Sequence, residues 1–147
     1  MSRETSITLW AMEPIGTAVA EAQGSEQPIE PLLEQLDLSR APELASLQAQ
    51  YEVEIAAALR AALEALDDRQ RTLLRYCLVD GWSIARIGEF HELHRATTVR
   101  WLTAARDVLS NHLRRELAAR LVIPLEEIYA IVREIRSRID ISFLRIM

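Results

Sequence analysis

Arginines are the residues of this chain best suited to chemistry. All 17 basic side chains are arginine and lysine is absent, a bias that genomic base composition also produces. Every positive charge therefore stays ionised and can meet a phosphate through a bidentate fork. These charges are unevenly placed: residues 1–68 hold 13 acids and 3 arginines, whereas residues 69–147 hold 9 acids and 14 arginines. The net charge of −5 thus conceals an acidic half and a basic half. A locally basic surface can attract a polyanion whatever the total.

Other chemistries lack a constellation. There are no paired carboxylates in a polar pocket motif, no nucleophile signature and no glycine-rich phosphate loop. No enzymatic activity, cofactor or small-molecule substrate is therefore expected. His91 and His94 are spaced to share a metal ion, but no third ligand accompanies them, and an exposed corner is expected instead. The single Cys77 excludes an internal disulfide and a cysteine-cluster zinc site, fits a reducing compartment, and reads as a small core filler. The uncharged stretch from Pro14 to Ala20 is too short for a membrane span or a signal core. A cytoplasmic, nucleoid-associated location without membrane contact is the expectation.

Helical elements must position these arginines. Residues 1–46 carry four of the five prolines and no sustained period, which predicts an acidic, poorly structured linker or arm in which Pro31 to Leu38 can form one helical turn or two. From Leu47 the residues Tyr51, Ile55, Leu59, Leu63 and Leu66 recur at helical spacing. Asp67, with Gln70 three residues on, reads as an N-cap and its capping-box partner opening a second helix. That helix carries Leu73, Leu74, Cys77 and Leu78 on one face and closes at Asp80-Gly81, where glycine can adopt the left-handed conformation. Ser83 can cap a short third helix with Ile84, Ile87 and Gly88. After the break at Phe90-His91-Glu92-Leu93, a fourth helix runs from about Arg95 to Arg120, with Val99, Leu102, Leu109, Leu113 and Leu117 inward. Pro124 opens a last helix whose Leu125, Ile128, Val132, Ile135 and Ile139 form an apolar stripe. Either this stripe folds back on the first two helices, or it docks a partner or a second copy.

Gly81 to Leu109 has the layout of a helix-turn-helix: a short helix, a corner, then a helix with a polar, basic start. A helix can read base edges in the major groove only when a preceding helix braces it across the backbone. Small Gly88 lets the two approach closely, and Trp101 is expected to wedge them together. The segments Gly81, Ser83-Ile84, Arg86-Ile87-Gly88, His94-Arg95-Ala96-Thr97, Arg100-Trp101-Leu102 and Ala105-Arg106, with the tail Arg138-Ile139-Asp140-Ile141-Ser142, resemble region four of bacterial extracytoplasmic-function sigma factors, in particular a myxobacterial-type subgroup. The resemblance implies a domain that reads promoter DNA through its last helix and docks on RNA polymerase. Carried over by position, it places Arg95, Thr97, Thr98 and Arg100 at the groove together with His94, while Arg86 and Arg106 grip phosphates. Glu92 stands where the family's corner has glycine, so the corner either avoids positive φ or carries strain of about 1 kcal/mol. Thr98 stands where the family packs an apolar residue. The family's other half, region two, has no counterpart in residues 1–46.

The expected architecture is all-α: a helix-turn-helix, winged-helix-like bundle of four to five helices of the sigma region-four type. It comprises an acidic arm at 1–46, the domain proper at 47–120, and a C-terminal amphipathic helix and tail at 121–147. The expected function is a DNA-binding transcription regulator, with duplex promoter DNA and RNA polymerase core as partners. The alternative is a sigma-like interaction module that binds polymerase, a regulator or itself through Leu125, Ile128, Val132, Ile135 and Ile139 without touching DNA. On that view the arginines of the fourth helix are a solvated face, paired four apart with acids such as Asp107 and Glu116.

Overall fold

The computed structural model describes residues 28–38 and 41–147, and these are all-helical with no strand among them. In chain order the helices are α1 (Glu30–Gln35), α2 (Ala45–Gln50), α3 (Glu52–Glu64), α4 (Asp68–Arg75), α5 (Ile84–His91), α6 (Arg95–Arg120) and α7 (Leu125–Ile146). A tight turn at Pro42–Leu44 leads into α2, and α4 continues through a widened turn at Tyr76–Asp80.

Two differences raise the helix number above the expected four to five. The helix expected from Leu47 is interrupted at Tyr51, whose backbone sits at φ −125° and ψ 34°. The bonds from Tyr51 N–H to the Leu47 carbonyl and from Ile55 N–H to the Tyr51 carbonyl, 2.9 Å each, continue across the break. The apolar stripe therefore survives, and Ile55, Leu59, Leu63 and Leu66 are all buried.

The second difference lies in the arm. Residues 1–27 lie outside the described residues, but Ile29, Leu32, Leu36, Leu38, Ala41 and Leu44 are buried in the main core. Pro31 and Pro42 occupy first-turn positions of α1 and of the tight turn, where a missing donor costs nothing. Here proline marks helix starts rather than a linker. Arg60 pairs with Glu30 at 3.3 Å, and the Arg138 guanidinium donates to the Asp37 carbonyl, tying this segment to α3 and α7.

Most boundaries follow from local signals. Asp67 Oδ1 accepts from Gln70 N–H at 2.7 Å, and Gln70 Oε1 accepts from Asp67 N–H at 3.0 Å. The Arg71 guanidinium donates to the carbonyls of Leu63, Glu64 and Leu66 around the end of α3, where helix-terminal carbonyls need partners from outside the helix. Gly81 takes φ 68° and ends α4, as its freedom from a Cβ permits.

The long helix α6 packs against α3, α4, α5 and α7. One core cluster joins α1, α3, α6 and α7. A second gathers Leu73, Tyr76, Cys77, Ile84, Ile87, Leu102 and the C-terminal Ile146. The stripe offered as a partner-binding face is used inside the molecule: Ile128, Ile135 and Ile139 are buried and Val132 is partly so, while Leu125 is exposed. α7 folds back because those isoleucines cover the apolar side of α6. No described helix is long and apolar enough to cross a membrane.

Candidate nucleic-acid interface

The pair α5–α6 is held by a tight corner. Ser83 Oγ accepts from Arg86 N–H at 3.0 Å and caps α5. Ile84 and Ile87 anchor that helix in the second core cluster. A Cβ placed on Gly88 would sit 2.9 Å from the Leu93 carbonyl oxygen and 3.1 Å from Thr98 Oγ1, so the close approach of corner and α6 requires glycine there. Glu92 adopts φ 57° and ψ 49°, the left-handed conformation that a side chain disfavours. The reversal is closed by Leu93 N–H donating to the Gly88 carbonyl at 2.7 Å.

α6 then starts after His94. Thr98, expected at the groove, is fully buried, and its hydroxyl donates to the His94 carbonyl at 3.0 Å. That bond lets a threonine occupy an apolar site without an unsatisfied hydroxyl. Thr97 is buried as well. Both threonines are therefore removed from any groove-facing set, since a helix cannot present its inward face to a ligand.

Four of the expected residues remain exposed: Arg86, His94, Arg95 and Arg100. Among the described residues neither Arg86, Arg95 nor Arg100 is in an ion pair. Arg100 is steadied by a long hydrogen bond of 3.5 Å to Thr97 Oγ1. Ala96 and Ala104 are exposed beside it, leaving the helix surface low and its guanidinium prominent. Glu89 and Glu92 are also exposed, at the corner between Arg86 and the start of α6, so two carboxylates border the three arginines.

Arg106 is placed differently from the expectation that it grips phosphate. Its guanidinium bonds Asp107 at 2.9 Å and Asp140 at 2.7 Å, and its side chain is only 16% exposed. Arg136 adds a bond to Asp107 at 3.2 Å. Arg106 is thus the centre of an α6–α7 clamp, its charge already matched by two carboxylates.

An aromatic cluster that spacing could not reveal supports the approach to α5. Tyr76 and Trp82 stack at 4.2 Å with 3° between their planes, and Phe90 meets Trp82 edge-on at 5.6 Å. Arg86 lies 4.0 Å over the Trp82 ring. Tyr76 OH and His91 Nε2 are 3.1 Å apart. Burial pushes the His91 imidazole down from 6.5 to about 4 and raises the Tyr76 phenol, the latter aided by Asp80. His91 is therefore a neutral, buried member of this cluster while His94 is exposed, and the described residues contain no group able to hold a metal ion. Cys77 is buried in the core, its thiol pushed up to about 12 by desolvation.

One further cation stands beside α6. Arg69, in the first turn of α4, lies 4.5 Å over the Trp101 ring. The wedging role expected of Trp101 is partly realised, since it packs half-buried against the second cluster. No sequence signal links two residues so far apart in the chain. The chain matches no family model, no curated protein and no solved structure.

Proposed function

We propose that this chain is a sigma-factor-like, DNA-binding transcription regulator, in which α5 and α6 act as a helix-turn-helix and the first turns of α6 enter the major groove. The observation that carries this reading is the pair Arg95 and Arg100. Both project from the start of a helix braced by α5 across a closed corner, and neither is matched by a carboxylate among the described residues. Helix starts of this kind, backed by a second helix, reach base edges. Arg86 holds a backbone phosphate, and His94 lies beside the same surface. Duplex promoter DNA is the ligand, with docking on RNA polymerase core as part of the same function.

Fluorescence anisotropy on duplex DNA at several salt concentrations tests this. Affinity falls steeply with salt because counterions are released as phosphates are neutralised. Arg100→Ala loses about 1–3 kcal/mol of discrimination between duplexes that differ at the contacted base. Equal affinity and equal preference for wild type, Arg95→Ala and Arg100→Ala would sink base readout by α6.

A second reading has its own observation. Ile141, Leu144 and Met147 leave large apolar side chains exposed at the C-terminal end of α7, and exposed apolar patches mark interaction sites. On this reading the chain is an interaction module for polymerase, another regulator or itself. A stable dimer by light scattering, with no DNA binding at low salt, favours it.

A further inference from the structure

The geometry points to Arg69 as a phosphate-binding residue of the DNA surface, held in position by Trp101. This rests on the DNA reading above and extends it to a helix outside the α5–α6 pair. Arg69 belongs to the first turn of α4, where two carboxylates stand next to it in sequence. Both are engaged elsewhere: Asp67 caps α4 through Gln70 N–H at 2.7 Å, and Asp68 pairs with Arg71 at 2.7 Å. Among the described residues Arg69 is in no ion pair, and its guanidinium instead lies 4.5 Å over the Trp101 indole.

Trp101 is the residue after Arg100 on α6, so this contact brings the Arg69 guanidinium against the turn of α6 that carries Arg100, about 100° around the helix from it. A guanidinium lying over an indole in a cation–π contact still has N–H donors to offer to two oxygens of one phosphate. Arg86 over Trp82, at 4.0 Å, repeats the device from α5. Two arginines from different helices, each oriented on a tryptophan, thus stand ready as backbone contacts near the reading helix. Such contacts fix register and carry no sequence information. Their orienting stacks reduce the side-chain entropy lost when DNA binds.

The test uses the 147-residue chain, two duplexes of unrelated sequence, and anisotropy across a salt series. Arg69→Ala lowers affinity by the same factor on both duplexes, and the slope of log affinity against log salt becomes shallower by about one. Arg100→Ala instead changes the ratio between the duplexes. Arg69→Lys keeps the salt slope but binds more weakly than wild type, because an ammonium neither stacks nor forks in the same way. Thermal melts confirm that each variant is folded, and the lysine variant bears the test if the alanine variant is not. Wild-type affinity and slope in Arg69→Ala, with wild type binding normally, overturn the assignment. A lysine variant as tight as wild type overturns the role of the stack, and a wild-type chain that binds neither duplex sinks the DNA reading itself.

Discussion

At the scale of single residues the corner is the most informative place. Glu92 holds φ 57°, a conformation that costs an L-residue about 1–2 kcal/mol. Glu92→Gly removes that cost and returns part of it through a more flexible unfolded chain. A net gain of up to about 1 kcal/mol in urea denaturation is expected, and a loss would mean that the corner does not turn at this residue. His91 gives a pH-dependent prediction. Its imidazole is held neutral down to about 4 in the folded chain, against 6.5 unfolded, because of burial. The unfolded chain binds the proton first, so this residue's stabilising contribution is complete above 6.5 and is lost as pH falls toward 4. His91→Phe should show a flatter decline in denaturation midpoint over that window than wild type, and parallel curves would reject the assignment. The corner's approximate place was legible from the break expected at Phe90 to Leu93, although α5 continues through His91 and the chain turns only at Glu92. Which way Glu92 resolved was not, since positive φ and avoidance of it suit the same residue string.

Elements show where one-dimensional patterns are sufficient and where they are not. α6 runs over the expected span, and its inward leucines at 102, 109, 113 and 117 are buried, because a long stripe leaves one way to bury the helix. The pattern could not say which outward arginines are free. Arg106 reads like Arg100 in sequence, yet Asp140 from α7 reaches it at 2.7 Å. Arg106→Ala should therefore cost about 1 kcal/mol of stability, because the Asp107 and Asp140 carboxylates are 46% and 44% exposed and screened by solvent, and Asp107 keeps Arg136. The slope of DNA affinity against salt should stay at the wild-type value. A stable Arg106→Ala protein with a shallower slope would return this residue to the phosphate-binding set.

For the molecule as a whole, α1 and α7 share one core with α3 and α6, so the described residues of the expected arm, 28–38 and 41–46, and the C-terminal extension are parts of the same folding unit. Leu32 is 1% exposed, and Leu32→Ala should cost about 2–5 kcal/mol, as large-to-small changes in cores do. Tryptophan fluorescence and far-UV circular dichroism should report a single coincident unfolding transition. A Leu32→Ala protein of wild-type stability would mean that residues 28–38 do not pack as described. The described residues of the acidic and basic halves likewise pack together, since α3 lies against α6 and Arg138 of the basic half bonds the Asp37 carbonyl.

The linear string was enough to determine the all-helical class, the boundaries at Asp67, Gly81, Ser83 and Arg95, and the stripes that face inward. Caps and periodicity are local, and each is encoded within a few neighbouring residues. Only the tertiary structure decided that Thr97 and Thr98 turn inward, that Arg106 is consumed by α7, that the isoleucines of α7 serve the chain's own core, and that Arg69 comes to rest on Trp101. Those outcomes depend on which surfaces meet across the molecule, and contact between distant residues leaves no mark in local spacing.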